Sequence, residues 1–223
     1  MSTNDRTDSI SQAGILRSSD TLIGSCVVAT DGEVGRIRSL LFDDHSWAVS
    51  YLVIAAGSWT RRRDVALALP VAERLRWVDN SLGIQCTRDH VFNSPGANSG
   101  NWDLLCRSAA TQQRTGVLER WRKSGFREES TLLQAPDQSS GKIMSPRFRS
   151  TMELLDYCLW SRDKEIGRLH GFLLDENSWQ LKYLLVKAEN CTYRQSVLVP
   201  TRSIESISEN DRRVSVNQTG RGL

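Results

Sequence analysis

Asp43, Asp44 and His45 stand in a row before Ser46 and form the tight acid and imidazole cluster of the chain. Carboxylates beside an imidazole are ligand types that divalent metals use. A polar hairpin turn draws on the same residues, because Asp, Asn and Ser side chains bond to nearby backbone and hold a reversal. Asp175-Glu176-Asn177-Ser178 repeats the pattern with an asparagine where the imidazole stood. The cluster therefore reads as turn chemistry, and neither a metal nor another cofactor is expected. His90 and His170 are isolated and read as surface or satisfied strand residues, not general bases. Arg61, Arg62 and Arg63 follow Trp59 as the densest basic run. Such a run suits an RNA phosphate, with the indole stacking on a base. The later stretch Cys191-Thr192-Tyr193-Arg194 does not duplicate it, so a solvated loop is the expectation. No GxSxG, Walker-type loop, HExxH or CxxC is present, which removes the commonest signals of nucleophilic, phosphate and zinc chemistry. No catalytic residue is assigned and no enzymatic activity is expected. Cys26, Cys86, Cys106, Cys158 and Cys191 are odd in number and read as reduced thiols, with Cys26 and Cys158 packing as small apolar groups.

The elements that carry these residues come in duplicate. From Cys26 onward the sequence recurs from Cys158 onward, 132 positions later, pairing Glu33 with Glu165, Gly35 with Gly167, Arg36 with Arg168, Trp47 with Trp179 and Tyr51 with Tyr183. Apolar runs bounded by turn formers and rich in Val, Ile, Leu, Trp and Tyr read as short strands. In the first copy these are SCVVAT, VGRIRSLLF, WAVSYLVIAA, VALALP, RLRWVD and SLGIQCT, and the second copy supplies counterparts ending in SVLVP, IESIS and RRVSVNQ. Asp31-Gly32 predicts a type I′ hairpin. The third strand is expected to place Trp47, Val49, Tyr51 and Val53 on one face and Ala48, Ser50, Leu52 and Ile54 on the other. About six short strands in some 75 residues suggest a small closed sheet. Glu33 and Glu165 with Arg36 and Arg168 suit repeated ion pairs on a strand face.

The 223 residues favour two domains. The expected organisation is a tail over 1–16, a first barrel-like domain over 17–95, a connector over 96–146 and a second barrel-like domain over 147–219. Within the connector, TGVLERWRKSG fits a short helix capped by Thr115 and stopped by Gly125, docked on the chain's own sheets. A net charge of +3 is too small and dispersed for a nucleic-acid footprint. The longest apolar run, Tyr51 to Ala56, is far short of the ~20 residues that span a bilayer. The first residues lack the pattern of a secretory signal, so the expected compartment is cytoplasmic.

The segments DGEVGRIRSLLFDDHSWAVSYLVIAAGSW and DKEIGRLHGFLLDENSWQLKYLLVKA resemble the PRC-barrel family, the domain type of the photosynthetic reaction centre H subunit and of the C-terminal part of the ribosome maturation factor RimM. The matching positions are Ile23-Gly24, Asp31-Gly32, Gly35, Asp43-Asp44, Trp47, Tyr51-Leu52-Val53, Gly57, Trp59 and Pro70, with TRDHVFNSP resembling the family's closing helix and proline. The second copy matches at Asp163, Glu165, Gly167, Asp175, Ser178, Trp179, Tyr183 and Pro200 but has no counterpart of Gly57 or Trp59. The resemblance implies an all-β chain of two tandem small antiparallel β-barrels joined by a partly helical or irregular connector. Duplicated strands without a catalytic constellation lead to the expectation of a non-enzymatic module that binds another protein or a second copy of itself, since fold alone does not carry function. The RimM likeness, with the Arg61 run, offers a ribosome- or RNA-associated factor as the alternative. The H-subunit likeness offers a peripheral component of a redox membrane complex. Candidate interaction residues are Trp47, Tyr51, Trp59, Arg61, Arg62, Arg63, Trp179 and Tyr183, the duplicated Trp and Tyr serving either the core or a partner surface.

Overall fold

The computed structural model describes residues 15–57, 62–69, 76–78, 80–97, 147–162, 164–188 and 196–217. Trp59, Arg61, Pro70, Asp163, Cys106, Cys191 and the connector helix expected over 115–125 lie outside the described residues. The first half runs β1 (Leu16–Ser18), α1 (Ser19–Leu22), β2 (Cys26–Ala29), β3 (Gly32–Asp43), β4 (Val49–Ala56), β5 (Arg63–Ala68), β6 (Arg76–Val78), β7 (Ser81–Gly83) and α2 (Arg88–Phe92). The second half repeats the order with β8 (Phe148–Ser150), α3 (Thr151–Leu154), β9 (Cys158–Trp160), β10 (Glu165–Asp175), β11 (Gln180–Ala188), β12 (Ser196–Pro200), a 3-10 turn (Thr201–Ser203), β13 (Ile204–Ser208) and β14 (Arg213–Val216). The expected strands are therefore present, and the described residues are mostly β. Thr87 caps α2, its hydroxyl accepting from the His90 N–H, the N-cap role its residue type favours.

Two seven-stranded sheets result. One is ordered β5-β4-β3-β2-β7-β6, the other β12-β11-β10-β9-β14-β13. The antiparallel meander expected from the sequence holds from β2 to β5 and fails at one joint, where β7 lies parallel to β2 and β14 parallel to β9. The chain leaves β5 for the far side of β2 and returns there as a hairpin, which reverses the sense of that pairing. The seventh strand of each sheet comes from the other half. β1 pairs with β10, and β8 pairs with β3, in matching registers: Arg17 opposite Leu174 and Arg149 opposite Phe42. The halves are thus not self-contained, since each begins with an arm that completes its neighbour's sheet. The start of β4 meets the start of β11 as well, with the Val49 N–H donating to the Trp179 carbonyl at 2.8 Å and the Leu181 N–H to the Trp47 carbonyl at 2.9 Å. One core spans both, from Leu22, Leu40 and Phe42 to Leu154, Phe172 and Val214, all essentially inaccessible to water.

Two local expectations are corrected. Of the Asp31-Gly32 pair only Gly32 takes positive φ, +133°, so the turn is not type I′. The Asp31 carboxylate accepts the Arg88 N–H at 2.7 Å and is tied to α2 instead. Trp47 and Val49 do not share a face with Tyr51 and Val53. The pairing of β3 and β4 slips between Leu41 and Phe42, leaving Ser50 as an extra residue, and a bulge of this kind moves the residues beyond it to the opposite side. Trp47 and Val49 consequently join Leu52 and Ile54 in the shared core, whereas Tyr51 and Val53 join Leu41, Ala66, Ala68 and Ala97 in a second cluster on the outer face. Lys182 is the extra residue at the equivalent slip in the second half.

Candidate functional site

The acid and imidazole cluster is built as a turn and then used as a clasp. Asp43 ends β3, and one of its oxygens accepts from both the Ser46 N–H and the Ser46 hydroxyl at 3.2 and 2.7 Å. Asp175 does the same work in the second half, accepting the Asn177 N–H at 2.9 Å. Burial pushes the Asp175 carboxyl up, but the hydrogen bonds from Asn177 and Ser178 and the Lys182 charge outweigh it and hold the group below its usual range. Each turn leads into a tryptophan in the left-handed region, Trp47 at φ +59° and Trp179 at φ +50°.

The residue after each aspartate reaches across the junction. Asp44 Oδ2 accepts from Arg149 Nε at 2.8 Å, and Glu176 accepts from Arg17 Nε. Asp44 and Glu176 stand 132 positions apart, as do Arg17 and Arg149, so the two pairs are copies of one clasp. Their arms are fixed by a second duplicated contact: the Leu40 N–H donates to Thr151 Oγ1 at 3.1 Å, and the Phe172 N–H donates to Ser19 Oγ at 3.0 Å. These amides lie between the two register shifts of β3 and of β10, and the hydroxyls of the crossing arms satisfy them. The clasps differ in their surroundings. The Arg149 side chain is only 3% exposed and also bonds Glu209 at 2.5 Å. Arg17 is 28% exposed and lies 4.4 Å from the centre of the Trp77 ring.

Asp43, Asp44 and His45 have ligand atoms within 4.8 Å of one another, yet the Asp43 oxygens serve the turn and Asp44 faces a guanidinium. Asp44 Oδ1 is buried and, among the described residues, accepts no hydrogen bond. His45 Nδ1 lies 2.8 Å from it, an ion pair only when the imidazole carries its proton. A cation at this place would compete with Arg149 for the same carboxylate.

The other residues singled out from the sequence are dispersed. Trp47 is 5% exposed and stacks on Phe42 with ring centres 5.0 Å apart, and Phe42 in turn meets Phe172 at 6.1 Å. Trp179 is half-buried against the same core. Tyr51 is buried in the outer cluster edge-on to Phe148, and Tyr183 is half-buried. Arg62 is exposed. Arg63 donates to the Phe92 and Ser94 carbonyls at 3.3 and 3.2 Å, so its charge closes the end of α2. His170 bridges the Leu185 carbonyl and the Ser196 hydroxyl at 2.9 and 3.0 Å, a structural contact, while His90 is exposed on α2. Arg36 donates to the Gly24 carbonyl at 2.9 Å.

Cys26, Cys86 and Cys158 are half-buried thiols, and no disulfide joins them. Burial, then the Asp31 charge, pushes the Cys86 thiol up to about 11. Burial and then Glu33 raise that of Cys26. An open depression of 490 Å³ is lined by Asp156, Cys158, Arg168, Asp211 and Arg212. Among the described residues no helix is long and apolar enough to cross a membrane.

The clasping arginines are not among the residues expected from the sequence. Leu16-Arg17-Ser18 and Phe148-Arg149-Ser150 stand at the same spacing of 132 as the rest of the repeat, and extending the self-comparison upstream of Cys26 would have found them. No family model matches this chain, and no curated protein is significantly similar to it.

Proposed function

We propose that the chain is a non-enzymatic assembly module, a tandem PRC-barrel-like protein whose two halves present surface to a protein partner. The observation that carries this reading is the fate of the chemically capable side chains. Asp43 closes its own turn, and Asp44, Arg149, Arg63 and His170 each hold one part of the fold to another. A group held in a structural ion pair is costly to release for turnover, whereas a rigid body with a satisfied interior suits a scaffold. Exposed apolar positions at Val28 and Met152 offer contact points on both halves.

Photo-crosslinkers placed at Val28 and at Met152, followed by identification of the adduct from cells, test the reading. The expected result is a discrete heterologous protein captured from either position and retained when the purified chain is added back. Turnover by the purified chain that disappears in His45→Ala, with no retained partner, would overturn it.

A further inference from the structure

We infer that the chain self-associates through the free edge of its second sheet, β12 of one copy pairing antiparallel with β12 of another. This goes beyond the assembly reading and rests on a different observation, the unequal covering of two equivalent edges.

In the first half the edge strand β5 is already covered. The Ala66 N–H donates to the Pro95 carbonyl at 2.9 Å, the Ala97 N–H donates to the Asp64 carbonyl at 2.8 Å, and Val65 bridges Gly96. The outer face beside that edge is closed too, with Leu41, Tyr51, Val53, Ala66, Ala68 and Ala97 all buried. In the second half no described residue covers the equivalent surface. Leu185 opposes Leu198 as Val53 opposes Ala66, so the Leu198 N–H and carbonyl turn outward as those of Ala66 do. Among the described residues nothing pairs with them. Leu198 is 49% exposed, Leu16 beyond it 47%, and Leu173, Tyr183 and Leu185 are only half-buried.

A second copy suits this edge for three reasons. Ser196-Val197-Leu198-Val199-Pro200 carries no charge, so it lacks the lysine or inward charge with which proteins commonly block edge-to-edge pairing. Across a twofold axis at Leu198, each Leu198 N–H meets the other's carbonyl, and each Ser196 N–H meets the Pro200 carbonyl opposite, whose other lone pair already accepts from the Ser203 hydroxyl at 2.7 Å. Pro200 has no N–H to give, so pairing is limited to this central register. The same axis sets the two exposed leucines side by side, as an isologous contact requires.

Sedimentation equilibrium of the full chain from micromolar to millimolar concentration tests this. The wild type is expected to reach twice its 25.1 kDa mass. Leu198→Lys should weaken dimerisation at least about tenfold, while Asp89→Lys, at an exposed position on α2, should leave it unchanged. Exchange of the Leu198 amide should slow as the dimer fills. Should Leu198→Lys not fold, Ser196→Lys at the same exposed edge gives the equivalent readout. A wild type that stays monomeric overturns the proposal, whether its Leu198 amide is protected by the chain's own residues or exchanges freely. A dimer that survives both lysine substitutions overturns it as well. Heterologous capture at Val28 or Met152 is read separately and is untouched by either result.

Discussion

Arg149 and Arg17 occupy equivalent positions yet differ in what solvent can do for them. Arg149 is 3% exposed and faces Asp44, itself 12% exposed, so removing the guanidinium leaves a carboxylate buried without its counter-charge. Arg149→Met is expected to lower the unfolding free energy by about 3–5 kcal/mol. Arg17→Met should cost less, about 1–3 kcal/mol, because Glu176 is nearly as buried as Asp44 but the Arg17 guanidinium is 28% exposed against 3% for Arg149, so water screens part of the pair. Urea titration of the two variants checks this, and equal losses would show that exposure does not decide the outcome. Cys86 gives a pH-dependent expectation. Its thiol rises from an ordinary 9.0 to about 11 in the folded chain. A raised folded value means that the neutral thiol's contribution to stability is complete below 9 and fades as the pH climbs toward 11. Across that interval the wild type should lose more stability than Cys86→Ala. Parallel pH profiles would count against burial as the cause. Cys86 should also alkylate more slowly folded than in denaturant.

Gly35 and Gly167 show what the strands demand of the sequence. A Cβ at Gly35 would lie 2.1 Å from the Ala55 carbonyl oxygen, and one at Gly167 would lie 2.1 Å from that of Lys187. Backbone carbonyls cannot step aside as a side chain does. Each Gly→Ala substitution is therefore expected to destabilise by about 2–4 kcal/mol in thermal unfolding, and a neutral result at either would mean the neighbouring strand moves freely. Both glycines, both aspartate turns and the succession of strands along each half are legible in the sequence, because turn chemistry and apolar runs are local signals, whereas the parallel joint of β7 to β2 is not. The inward and outward assignment of Trp47 and Tyr51 is not. A two-residue alternation carries across β4 only if no residue is inserted, and Ser50 and Lys182 are such insertions. The aspartate cluster reads as a turn and is one, but its second duty stays hidden in the sequence, since the partners Arg17 and Arg149 lie on three-residue strands. Such a strand says nothing locally of which sheet it will join. Both sheets offer the same docking edge, and only the tertiary path selects the distant one.

The two halves fold as parts of one object. Because Leu22 and Leu154 sit in a core common to both sheets, unfolding either half exposes apolar surface on the other, and amide exchange in β4 and β11 should report one opening free energy. The crossing of β1 to β10 and of β8 to β3 gives a stronger expectation. If a protease site is introduced between Ala97 and Arg147 and cut, the two pieces should co-elute in native buffer and separate only in denaturant. Separation without denaturant would mean that the exchanged strands add little. What joins the halves is reciprocal lending, not the backbone bond between them. Two separately encoded polypeptides, one per half, would then rebuild the same particle. Assembly would change from a first-order event within one molecule to one governed by how much of each piece the cell supplies.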